Sequence, residues 1–281
     1  MTGNPLMWHK ITQAQYPEAE NFLRQREAFC VSACSRFMHG NSGHIWTYNK
    51  KNGEAAAFLL HSRRTLFPIF QGDCDFPLPG FLGRFLRKVS VYSVQGLKQD
   101  AEILEAGMKT HGFSPSDSID YDLMTLDKMP LPGCFNKGPQ DLILRAPEAA
   151  DKKELFELQS AYEKEEVIPA NGFFSPGNCQ KTLERLMNTE KMLVACLGGR
   201  VIGKINTNAA SFTRFQIGGV YVRPELRGHG IAVKMSAVFL KELVAEGRGI
   251  TLFVKKRNAA ARNVYSRLGF TIRGDYRISY F

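Results

Sequence analysis

The chain has 281 residues, 44% of them hydrophobic and 23% charged, a balance that excludes a disordered or fibrous protein and allows a sizeable core. Its formal net charge of +10 is uneven: residues 140–281 carry 22 basic against 14 acidic side chains, so +8 of the excess lies there. That excess suits an anionic partner, either nucleic acid or a phosphorylated small molecule, or simply a solubilising surface.

The six cysteines form neither a CxxC pair nor a Cys/His set of zinc-like spacing, so no metal site is expected. Cys30 and Cys34 fall on one helical face as small buried hydrophobes. The first residues lack a basic start followed by an apolar stretch, and no run approaches the roughly 18 apolar residues of a membrane span. These features predict a cytoplasmic protein with free thiols and no membrane partner.

In chain order, residues 16–40 have helical spacing, with Gly40 as the expected C-cap. Residues 43–48, 54–61 and 65–72 read as short strands, the first two joined by an Asn52-Gly53 turn. Beyond the proline-containing 76–88, a strand over 89–94 leads to a helix over 98–112, and 119–126 alternates as a strand. Three prolines and two glycines in 127–140 mark a boundary, giving domains 1–130 and 140–281. The second opens with a strand over 141–146, a helix over 147–166 started by proline, and another over 178–188. Three strand-like runs follow at 192–198, 200–208 and 215–222. A helix from Ile231, a strand over 250–254, a helix over 259–269 and a closing strand near 276–281 complete it. The fold class is α/β in the α+β sense: a mixed sheet flanked by helices, preceded by a smaller α/β domain.

The junction "VRPELRGHGIAVKM" is the most informative stretch. Ile231, Met235, Val238, Phe239 and Leu243 recur at helical spacing, so a helix starts at Gly228 to Gly230, directly after a strand and the kink at Pro224. A helix start offers unpaired N–H groups and the positive end of its dipole, and the glycines let an anion reach the backbone. Arg223 and Arg227 are placed to add charge-assisted hydrogen bonds. On these features alone an ordinary glycine turn serves equally well. There is no GxxxxGK[ST], and "GHGIAV" lacks the third glycine of a dinucleotide fingerprint.

Arg227 to Ala232, "RGHGIA", resembles the [RQ]xxGx[GA] segment of the GNAT superfamily of acyl-CoA-dependent N-acyltransferases. Asn258 to Phe270, "NAAARNVYSRLGF", is similar to that family's second signature, and "GGVYVRPE" to its central strand. The resemblance covers roughly 140–281. A shared helix, Gly-Phe and tyrosine-bearing strand in 105–126 and 263–281 hints that the first half is a degenerate copy, as in tandem members.

The resemblance implies an acetyl-CoA cosubstrate held by the backbone of Val220, Tyr221 and Val222 along the pantetheine arm. Arg227, Gly228, His229, Gly230, Ile231, Ala232 and Val233 would hold its pyrophosphate, with Asn258 touching the cofactor. Tyr265 would protonate the departing thiolate; packing beside Phe270 is its alternative role. The reaction implied is transfer of an acetyl group to a primary amine by direct attack on the thioester.

Where some members carry a glutamate base, Gln216 stands here. Glu165 and Glu166 are substitutes, although a solvated acidic pair is the plainer reading. His229 is expected to face solvent, and Lys255 to Arg257 either a CoA phosphate or solvent. A non-catalytic acyl-CoA sensor is the alternative that the missing glutamate favours. Without a basic patch of interleaved aromatics, no nucleic-acid partner is expected. The first half would shape the acceptor pocket or a homodimer contact.

Overall fold

The computed structural model describes residues 7–39, 44–50, 54–72, 77–170 and 172–281. Gly40, the Asn52-Gly53 turn and Cys74 lie outside the described residues. The chain is mixed α/β and divides into two compact units, Met1–Asp122 with Gly274–Phe281, and Leu123–Arg273. These limits differ from the expected 1–130 and 140–281, because the last eight residues belong with the first unit and the proline-rich 127–140 with the second.

In the first unit, strands β1 (His9–Lys10), β2 (His44–Asn49), β3 (Ala55–Ser62) and β4 (Thr65–Phe70) form an antiparallel meander. β3 and β4 are almost wholly buried, as their unbroken apolar runs require. A strand β5 (Ser93–Leu97) lies parallel to β4 at Thr65↔Ser93 and Leu66↔Val94. It falls four residues later than the 89–94 reading.

The helical stretch 16–40 is two helices, α1 (Tyr16–Gln25) and α2 (Val31–Met38), separated by a short 3-10 turn. Residues 78–85, read only as proline-containing sequence, form α3 (Leu78–Phe85), with Pro79 in its first turn, where a missing N–H costs nothing. A fourth helix, α4 (Lys98–Lys109), completes the layer. The core gathers Leu59, Leu66, Leu82, Leu104 and Met108 around Trp8, which stacks on Phe81 at 5.1 Å.

Strand β6 (Asp117–Leu126) crosses the division between units. The second unit continues with β7 (Ile143–Arg145), α5 (Lys152–Tyr162), a π-helical turn over Glu163–Val167, and α6 (Pro176–Thr189). Strands β8 (Met192–Leu197), β9 (Arg200–Ala210) and β10 (Arg214–Val222) then pair antiparallel in turn. Helix α7 (Ile231–Ala245) leads to β11 (Gly249–Lys255), parallel to β10, and α8 (Ala259–Leu268) to the final strand β12 (Thr271–Tyr280).

Two apolar layers hold this sheet. On one face Leu155, Leu158, Leu183 and Leu186 of α5 and α6 pack on Val194 and Val201. On the other, Met235, Phe239 and Leu243 of α7 join Leu268 of α8 against Ile205, Ile217 and Leu252.

Candidate functional site

Helix α7 begins as its sequence demands. Pro224 opens a 3-10 turn after β10, and Gly228 and Gly230 take φ of 84° and 79°, a conformation natural to glycine alone. Gly230 is the N-cap, and Lys234 N–H donates to its carbonyl. Among the described residues no protein acceptor takes a hydrogen bond from the N–H groups of Gly228, His229, Gly230, Ile231, Ala232 or Val233. Space beside Gly228 is open, whereas a side chain on Gly230 would meet the backbone N of Gly138 at 3.0 Å and Cβ of Lys137 at 3.1 Å. His229 is exposed, as read from the sequence, with Nδ1 3.4 Å from the Leu226 carbonyl oxygen.

The second element is an open strand edge. β10 pairs with β11 only over Arg214–Gln216, after which the two parallel strands diverge. The backbone from Ile217 to Val222 therefore has no β11 partner. Within this stretch a bulge between Gly218 and Tyr221 breaks the register with β9, and Gly219 sits at φ 60°. Val220 is half-buried, while Tyr221 and Val222 are buried. The open edge runs into the turn that carries the unpaired amides.

The charged side chains are committed differently from the expectation. Arg227 donates two 2.9 Å hydrogen bonds to the Glu165 carboxylate and one from Nε to the Val222 carbonyl, and its guanidinium lies 5.0 Å over the Tyr221 ring. That pairing holds the Glu165 carboxyl below its ordinary range and raises the guanidinium above its own. Arg223 bonds Glu157 and the Val201 carbonyl. The arginines expected to meet a phosphate thus brace α5 and the π turn against the loop.

Glu166 accepts from Asn258 Nδ2 at 2.9 Å and lies 3.4 Å from Lys255 Nζ. Glu165 stays exposed, as the solvated reading had it, but is ion-paired, whereas Glu166 is half-buried between Asn258 and Lys255. Lys255, expected at a phosphate or in solvent, is buried and also donates to the Glu165 carbonyl. Asn258 is the N-cap of α8, its Oδ1 accepting from Ala261 N–H at 3.0 Å. The side chain that the resemblance put on the cofactor is therefore bonded within the protein at both ends.

Tyr265 is buried with its ring 5.6 Å from Phe270, edge to face. Burial, followed by Tyr162 and Glu166, drives its hydroxyl well above the usual phenol range, so it keeps its proton. Gln216 is buried in β10 and pairs in register with Thr251 of β11.

A group that the motif reading passed over lies beneath the bulge. Lys204 of β9 is fully buried; its Nζ donates to Asn206 Oδ1 and to the Gly219 carbonyl, each at 3.0 Å, and lies 5.1 Å from the Tyr162 ring. The signal was present: "GKINTN" sets Lys204, Asn206 and Asn208 at a period of two, which puts all three on one face of a mostly apolar strand. Among the described residues no group of His, Cys, Asp and Glu is arranged to hold a metal ion, and no helix is long and apolar enough to cross a membrane. Cys30, Cys34, Cys134, Cys179 and Cys196 are free thiols.

Residues 153–270 match the family model described as the acetyltransferase (GNAT) family. Among curated proteins, none matches the chain in sequence. Solved structures resemble nearly its whole length. A Drosophila malonogaster protein superposes with a TM-score of 0.67 at 14% identity, covering 98% of both chains. A GCN5-related N-acetyltransferase from Sphaerobacter thermophilus gives 0.64 at 18% identity, over 99% of this chain and 96% of that one. A tandem GNAT protein from the clavulanic acid biosynthesis pathway gives 0.58 at 14% identity over 98% of each. At these identities the likeness is one of fold, and it extends through the first half of the chain. The match to the GNAT acetyltransferase family thus falls on residues 153–270, the part of the chain that carries the amide-bearing turn and the open strand edge.

Proposed function

We propose that the protein is an N-acetyltransferase that moves an acetyl group from acetyl-CoA to the primary amine of an acceptor, with the cofactor site in the second half. The observation that carries this reading is the run of amides from Gly228 to Val233 with no protein acceptor, continuous with the unpaired edge of β10. A diphosphate fits those amides, since the glycine at 228 leaves the approach open. The backbone of Val220, Tyr221 and Val222 fits the amide-bearing pantetheine arm as an added strand would.

When bound, acetyl-CoA supplies the activated thioester. The remaining chemistry falls to the chain. Tyr265 holds a proton at neutral pH and would deliver it to the departing thiolate. No carboxylate is assigned as base: Gln216 is an amide, and Glu165 and Glu166 are held in ion pairs. The acceptor amine therefore has to enter neutral or lose its proton to water. Free thiols support a cytoplasmic location.

Calorimetric titration of the full chain with CoA and acetyl-CoA tests the reading. The expected result is binding of both, weakened about tenfold in His229→Glu, which sets a negative charge on an exposed residue beside the amides while leaving the fold intact. Absence of binding by the wild type would overturn it. Binding without thiol release across a broad amine panel would favour an acyl-CoA sensor instead.

A further inference from the structure

The arm expected along Val222 to Val220 leads away from the amide turn and ends at Gly219, so the acyl group falls beside the bulge. Gly219 is gripped from two sides. Its carbonyl accepts from Lys204 Nζ, and its backbone bonds the Tyr162 hydroxyl. A side chain at 219 would come within 2.7 Å of Lys204 Nζ. Lys204 itself is anchored by Asn206, whose Nδ2 donates to the Thr207 carbonyl and to Asn208 Oδ1, both at 3.0 Å. Nothing in this polar ladder serves the apolar packing of the face it occupies, and a buried lysine without a carboxylate in contact is costly to keep.

We propose that Lys204 is a positioning residue for acyl transfer, fixing the bulge of β10 and, through the Gly219 carbonyl, polarising the Gly219–Val220 peptide so that the Val220 N–H becomes a stronger donor to the thioester carbonyl. The carbonyl that Lys204 bonds and the N–H of Val220 belong to one peptide unit, and a charge-assisted bond to the oxygen withdraws electrons from the nitrogen. As negative charge grows on the acyl oxygen in the transition state, that donor gains strength. The inference rests on the acetyl-CoA reading above.

The effect depends on the charge of Lys204. Burial lowers its pKa to about 7, opposed by Glu163 and Cys179. Around it stand Tyr162 and Glu163 from α5 and the π turn, Cys179 from α6, and Tyr221 from β10. The hydroxyl of Tyr162 is pushed up to about 12, and the Cys179 thiol and the Tyr221 hydroxyl are raised as well. Those three groups stay neutral while Lys204 titrates.

The test compares wild type, Lys204→Met and Lys204→Gln, the last keeping a donor without the charge. Thiol release from acetyl-CoA, with water as acceptor, is followed from pH 5.5 to 8.5 alongside calorimetric affinity for CoA. Water adds to the thioester carbonyl, the C–S bond breaks, and acetate and the CoA thiol leave. In wild type the rate per hydroxide is expected to fall as pH rises through about 7, with that inflection absent from both variants. At pH 6.5 both variants should release thiol about tenfold more slowly while binding CoA within about twofold of wild type.

Unchanged rates and profile in folded variants that bind CoA overturn the inference and leave the acetyltransferase reading standing. Where neither variant folds, a wild-type profile without an inflection between pH 6 and 8 overturns it alone. A wild type that binds neither CoA nor acetyl-CoA removes the underlying reading, and this inference with it.

Discussion

Gly219 and Lys204 set what single substitutions do in the second unit. At φ 60° and with Lys204 Nζ 2.7 Å from any added Cβ, Gly219→Ala strains the backbone and pushes aside a buried ammonium. A loss on the order of 2 kcal/mol or more in urea unfolding is expected, against near neutrality for an alanine at exposed Gly177, which has open space and no positive φ. Lys204 predicts a pH dependence with a definite sign. Its pKa is about 7 in the folded protein, against 10.5 for a freely solvated lysine such as an unfolded chain presents, so between those values the unfolded chain binds more protons and stability rises with pH. The wild-type unfolding free energy should climb, relative to Lys204→Met, by up to about 1.4 kcal/mol per pH unit between pH 7.5 and 9.5. Equal slopes in the two proteins would remove the buried-charge account. At this scale the glycines of 228–230 were legible because only backbone geometry was at issue. The partners of Arg227, Asn258 and Lys255 were not, since Glu165 and Glu166 lie some 60 to 90 residues away and nothing local in the sequence says that they return.

Among the elements, α7 was readable from its apolar spacing and starting glycines and α8 from its helical run, and α5 only in part. "AYEKEE" carries helix formers, so its pattern continues past the point where the backbone widens into the π turn at Glu163–Val167. That turn delivers Glu165 to the amide-bearing loop and Glu166 to the cap of α8, tying both motif segments to one short stretch. Asn258→Ala removes the bond to Ala261 N–H and the one to Glu166, and should cost about 1 to 2 kcal/mol of stability by urea titration. Arg227→Ala distinguishes a brace from a phosphate ligand. With its guanidinium held by Glu165, the variant should bind CoA within about threefold of wild type while losing thermal stability. A tenfold loss of affinity without destabilisation would show that the arginine leaves Glu165 for the ligand.

For the whole molecule, the composition and the proline-rich 127–140 raised the expectation of two domains, but said nothing of which strands would pair. The reason is that strand pairing is non-local: the alternation in 276–281 announces a strand and says nothing of its neighbour. In the structure Tyr276 to Tyr280 run antiparallel to β5, from Tyr276↔Leu97 to Tyr280↔Ser93, and join the first unit. Arg277 lies among Glu102, Glu105 and Asp120, and Asp120 in turn bonds Lys98, so the strand is held by charge as well as by its ladder. Tyr276 is buried, and Ser279 donates to Glu105. Deleting residues 275–281 would strip β5 of this partner and leave Glu102, Glu105 and Asp120 without Arg277. The deleted chain should lose protection from hydrogen exchange in β5 and α4 first, because those elements contact the missing strand directly. Exchange measured peptide by peptide checks this. Protection lost evenly through both units, or retained in residues 93–109, would mean that the first unit does not depend on the chain's last strand.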